Sequence, residues 1–132
     1  MQRSRIRFTQ SFGAFAKIEG SATCGEHCIE LELAMTECVS GPVKGVLKRS
    51  LAFRDLEDVE VKRGLTLRRR LIFSANTLAT FESMPGAKGY EYVVSPVASG
   101  REVNSFLTDV RLAIAQATME HFTEQIEEAI GQ

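Results

Sequence analysis

Nowhere in the 132 residues does an apolar run approach the roughly 18–20 residues needed to cross a bilayer, so no transmembrane segment is expected. A secretory leader is not expected either. Arg3 and Arg5 are followed by no apolar block, because Phe8 to Ile18 is broken by Thr9, Gln10, Ser11, Gly13 and Lys17. Cysteine is scarce and odd in number, three in all, which together with the missing leader points to reduced thiols and a cytoplasmic setting. Net charge is almost absent: sixteen Lys and Arg against seventeen Asp and Glu leave −1, too little to draw in nucleic acid. Histidine occurs twice, at His27 and His121, far apart in the chain. Base-assisted nucleophilic catalysis needs the base within hydrogen-bond reach of Ser or Cys, and no such pair is suggested. Phosphate-cradling glycine loops are missing too, since Gly86 to Gly89 has the character of a turn. No catalytic residue, cofactor or metal is therefore assigned, and the chain is expected not to be an enzyme.

What is present suits one folded domain. Hydrophobic residues at 44 % and charged residues at 25 % exclude a disordered chain, and the length is that of a single unit spanning 1–132. Ile29 to Met35 alternates polar and apolar residues, the pattern of a half-buried strand. Further strand-like segments are expected at 16–23, 28–37, 46–53, 59–62, 65–73, 77–82 and 90–94, separated by turn residues and too close together for crossover helices. Residues 1–16, with Ile6, Phe8, Phe12 and Phe15, are expected to form an N-terminal arm or a short helix. Pro96 ends the strand region (17–96), and Ser99 with Glu102 has capping-box spacing at the start of a helix over 99–130. Val103, Phe106, Leu107, Val110, Ile114, Ala117, Phe122 and Ile126 are read as one apolar stripe on it. The predicted class is mainly β with one C-terminal α-helix (α+β): a seven-stranded antiparallel barrel or sandwich capped by that helix.

Over roughly 17–118 the chain resembles the pleckstrin-homology-like domains, in particular the short bacterial kind. The strongest stretches are Leu51 to Gly64 (LAFRDLEDVEVKRG) and Phe81 to Gly89 (FESMPGAKG), with the closing helix from Arg101-Glu102-Val103 in phase. The resemblance implies a seven-stranded barrel, open at one end and plugged by the helix, that binds phosphoinositide head groups, peptides or proteins. Lipid-binding members carry Lys and Arg in and after the first hairpin loop. Cys24-Gly25-Glu26-His27-Cys28, read as that loop, has neither, which argues against a phosphoinositide partner.

Three groups of residues are candidates for function. Lys44, Lys48, Arg49, Arg68, Arg69 and Arg70 make the central strands basic and could hold a phosphate-bearing ligand, although pairing with Glu30, Glu32, Asp55, Glu57, Asp58 and Glu60 would leave only a solvated sheet face. Cys24, His27, Cys28 and Cys38 are the one cluster of soft ligands. It lacks a second short pair, so the cysteines are read as small buried hydrophobes flanking a hairpin. Met119, Phe122 and Ile126 overhang any small barrel, and with Phe12 and Phe15 they are candidates for an interface unless residues 6–15 fold back over them. The expected function is noncatalytic binding or scaffolding, with a protein partner or a second copy forming a homo-oligomer. The alternative is a small-molecule-binding protein or enzyme using the barrel interior, with Arg69 and Cys28 as polar lining.

Overall fold

The computed structural model describes residues 4–12, 16–37, 41–42, 45–63, 68–82 and 84–131. It is mainly β with one C-terminal helix. The strands are β1 (Arg5–Phe12), β2 (Ala16–Cys24), β3 (Cys28–Glu37), the two-residue β4 (Gly41–Pro42), β5 (Leu47–Ala52), β6 (Leu56–Arg63), β7 (Arg69–Ala75) and β8 (Glu91–Pro96). The helix α1 runs from Gly100 to Ile130. All the ladders are antiparallel, in the order β4-β3-β2-β1-β8-β7-β6, with β5 pairing β3 along its other stretch. One meander, β1 to β5, thus meets a second, β6 to β8, through the short β1–β8 contact Phe8↔Pro96 and Thr9↔Ser95.

The sheet does not close. Among the described residues no ladder joins β5 to β6; a 3-10 turn at Phe53–Asp55 carries the chain between them. That turn is pinned by Phe53 N–H donating to the His27 carbonyl and by Asn76 N–H donating to the Asp55 carbonyl. Helix α1 packs on this turn and on β6, with further contacts to β1 and β2, and so covers the side where the strands part.

Residues 5–12 are a strand, where an arm or short helix was expected. Ile6 and Phe8 are buried while Arg5 and Arg7 are exposed, the period-2 pattern of a sheet with one wet face. In the sequence Gln10 breaks that pattern, and Phe8, Phe12 and Phe15 fall at the four- and three-residue spacing of a helix. Phe8 stands opposite Gly20 on β2. A Cβ on Gly20 would lie 2.6 Å from the Phe8 ring and 2.9 Å from the Glu32 carbonyl oxygen, so the bare backbone there is what admits the ring. The first hairpin is consequently β1–β2, and the 24–28 turn belongs to the second.

Two other segments depart from expectation. Residues 78–81 form a 3-10 turn instead of a strand, closed by the Thr80 N–H donating to the Thr77 carbonyl and the Glu82 N–H donating to the Ala79 carbonyl. The strand expected at 65–73 is observed at Arg69–Ala75, with residues 64–67 outside the described set. On β6 a bulge between Leu56 and Asp58 lets Leu56 and Val59, three residues apart, both reach the core.

The core is filled by Phe8, Phe53, Phe73, Tyr92 and Phe106 among aliphatic side chains, each at most 2 % exposed. Tyr92 packs against the rings of Phe73 and Phe81 and donates its hydroxyl to Gln10 Oε1 at 3.1 Å. Burial pushes its phenol pKa up to about 12. No helix among the described residues is long and apolar enough to cross a membrane.

Candidate functional site

Helix α1 begins as expected. Ser99 Oγ accepts the Glu102 N–H at 3.2 Å, satisfying one of the orphan donors of the first turn. Val103, Phe106, Leu107, Val110 and Ile114 are buried, with Ala113 and Ala117 packed beside them. Arg111 fastens the helix to β6, donating from Nε to the Val59 carbonyl at 2.9 Å and to Asp58 Oδ1 at 3.3 Å. Ser4 hydrogen-bonds Asp109, tying the start of the first hairpin to the same helix.

Past Ala117 the stripe changes face. At about 100° per residue, Phe122 lies roughly 80° around the helix from Ile114, and Ile126 roughly 120°. The five-residue step from Ala117 to Phe122 makes this shift, so the single stripe expected from sequence is two. The inward line continues as His121 and Glu124, which with Glu26, His27 and Arg54 border a groove of about 410 Å³ under the helix tail. The outward line carries Leu112, Met119, Phe122, Ile126 and Ile130, which are 59, 69, 62, 43 and 78 % exposed. Ile130 continues the overhanging tail expected from sequence, whereas Leu112 was missed as a candidate; the three- and four-residue spacing from Leu112 onward is the signal that locates it.

β1 does not fold back over this tail, since its residues are paired in the sheet. The Phe12 side chain and Phe15 lie outside the described residues.

The basic residues are not gathered into one site. Lys48 is exposed and Arg49 half-buried on β5, while Arg68 just before β7 and Arg70 on it are exposed, and β7 does not pair with β5. Lys44 lies outside the described residues. Arg69 reaches the rim and donates to the Ala98 carbonyl beside the start of α1. Ion pairing with the acids of the sheet was expected to occupy these arginines. Among the described residues the acids instead pair with near neighbours or with the helix: Lys17–Glu19, Lys62–Glu60 and Arg111–Asp58. Arg69 and Cys28, the polar lining required by an interior ligand site, belong to different meanders of the sheet.

Cys24 and Cys28 are half-buried free thiols, and Cys38 is outside the described residues. Cys24 and Cys28 flank the hairpin at the end of β2 and the start of β3, but Cys24 faces Ile29 across the hairpin and Cys28 faces Ala52 on β5, so the two are not paired with each other in the ladder. Burial, then the negative charge of Asp109 and then Cys28, raises the Cys24 pKa and keeps it a thiol at neutral pH. Among the described residues no group of three or more His, Cys, Asp or Glu is placed to hold a metal ion. A recess of about 350 Å³, walled by Ile18, Leu33, Met35, Val46, Leu47 and Pro85, opens at the rim of the first meander. Comparison with protein-family models, with curated proteins and with solved structures returns no match.

Proposed function

We propose that the chain is a noncatalytic binding or scaffolding module of pleckstrin-homology-like fold, cytoplasmic, which works by protein–protein contact or self-association. The single observation that carries this reading is the outward line of α1: Met119, Phe122 and Ile126 are large, apolar and exposed on a helix whose opposite face already serves the core. Singly exposed apolar side chains are ordinary, but an aligned set on one helix face is what a partner covers. The filled interior supports the same reading, because a ligand site needs a cavity with converging polar groups. The order of two meanders followed by a packing helix is in keeping with the family resemblance, and the free thiols of Cys24 and Cys28 are in keeping with a reducing setting.

The test is native mass spectrometry of the purified, dialysed protein. The expected spectrum contains the 14.6 kDa chain and its multiples alone. A small molecule retained at one equivalent per chain would overturn the module reading in favour of an interior ligand site.

A further inference from the structure

The outward face of α1 has a regularity beyond being apolar. Leu112, Ala115, Met119, Phe122, Ile126 and Ala129 follow one another at steps of three, four, three, four and three residues, the a/d repeat of a coiled coil. All six are exposed. The core-facing Val110, Ile114 and Ala117 occupy the opposite positions of the same repeat, so the helix can serve both faces at once.

We infer that α1 pairs antiparallel with α1 of a second copy along the Leu112–Ala129 seam. This rests on the module reading above and names its partner. Antiparallel coiled coils set an a residue against a d residue. Here that places Leu112 against Ala129, Ala115 against Ile126, and Met119 against Phe122. Each layer then joins a larger side chain to a smaller one, or a thioether to an aromatic ring, which fills space evenly. Parallel pairing would set Ala115 on Ala115 and Ala129 on Ala129, leaving voids on either side of a Phe122–Phe122 layer. The sequence of side-chain sizes is thus complementary to its own reverse.

Charge agrees. The positions flanking the seam are Gln116, Thr118, Thr123 and Gln125, all neutral, so two identical helices meet without like charges at the contact. Glu120, Glu124, Glu127 and Glu128 lie away from the seam with no Lys or Arg after Arg111. Antiparallel pairing sends these two acidic halves to opposite ends and opposes the two helix dipoles. The exposures of Leu112, Met119, Phe122, Ile126 and Ile130 amount to apolar surface on the order of 500 Å² per copy, at the upper end of what monomers leave uncovered. Two copies would bury on the order of 1,000 Å², enough for a concentration-dependent dimer.

Two measurements test this. Light scattering of the full chain over a dilution series should show mass rising from 14.6 kDa toward twice that value, and Phe122→Asp should hold it at the lower mass. For orientation, Ala115→Cys and Ile126→Cys are made separately with the native cysteines replaced by alanine, then oxidised alone and mixed. Antiparallel pairing predicts a disulfide-linked dimer several-fold more abundant in the mixture than in either variant alone. Strong self-linking of each single variant, a wild-type mass fixed at 14.6 kDa, or a mass above twice that would each overturn the inference. So would unfolding of both Phe122→Asp and Met119→Asp, which would show that this face belongs to the domain's own core. A chain that stays monomeric yet retains no small molecule removes the second copy and leaves the module reading standing.

Discussion

The first half of α1, Gly100–Ala115, and the second, Gln116–Ile130, are continuous helix made of similar amounts of apolar residue, yet they relate to the sheet in opposite ways. In the first half the large side chains Val103, Phe106, Leu107, Val110 and Ile114 point at the core and are at most 9 % exposed, and of the large apolar residues there Leu112 alone faces outward. In the second half the inward positions are His121 and Glu124, and the large side chains Met119, Phe122, Ile126 and Ile130 point outward. Hydrophobic content alone therefore says little about where a helix is buried; the phase of that content decides it.

A matched pair of truncations breaks or sustains this contrast, beginning with the largest effect. Phe106→Ala removes a fully buried ring and is expected to cost about 3–5 kcal/mol in urea unfolding. A loss under about 1 kcal/mol would mean that the first half does not seat on the sheet as described.

Tyr92→Phe examines the packed region under the helix through pH. Its folded pKa of about 12 lies above the unfolded value of about 10, so burial of the neutral phenol contributes fully below pH 10 and the contribution fades as pH rises through 12. At neutral pH the variant should be about 1 kcal/mol less stable, since Gln10 Oε1 loses its donor. Between about pH 10 and 12 the order should reverse, as wild type loses up to about 2–3 kcal/mol that phenylalanine cannot lose. Parallel pH profiles for the two proteins would count against a buried phenol.

Ser99→Ala should cost about 1 kcal/mol in thermal unfolding by leaving the Glu102 N–H without its cap. The smallest effect is reserved for the outward half. Phe122→Ala, measured dilute enough that chains are monomeric, should change urea stability by no more than about 0.5 kcal/mol. A loss approaching that of Phe106→Ala would erase the distinction between the halves.

Much of this was legible in the residues themselves. Alternation between Ile29 and Met35 marked β3, Ser99 with Glu102 marked the start of the helix, and the run from Val103 to Ala117 marked its packed face. The regions that escaped did so for physical reasons. β1 was hidden because Gln10 breaks its alternation and Phe8, Phe12 and Phe15 fall at helical spacing, so an arm or short helix reads as well as a strand until a neighbouring strand is there to pair with. Leu78, Ala79 and Phe81 form too short an apolar run for periodicity to assign, and the i to i+3 hydrogen bonds with the packing of Phe81 on Tyr92 show it to be a 3-10 turn. The basic strands suggested a common ligand site because proximity in sequence was taken for proximity on a surface, whereas β5 and β7 sit in separate ladders. In the helix tail, one five-residue step was enough to turn a second face into an apparent continuation of the first.

The open seam between β5 and β6 has a consequence for how the chain is made. Until Val103 to Ile114 emerge and settle against the Phe53–Asp55 turn and β6, the strand edges at this seam face the surroundings, and a segment made after every strand is the one that packs over it. A nascent chain stopped at Thr108 holds every strand yet only part of its cover. It should collect in the pellet after expression, while a chain stopped at Thr118 keeps the whole inner face of the helix and should remain in the supernatant. The protein's vulnerable interval is thus the time taken to synthesise about ten residues in mid-helix, seconds or less at the usual 5–20 residues per second.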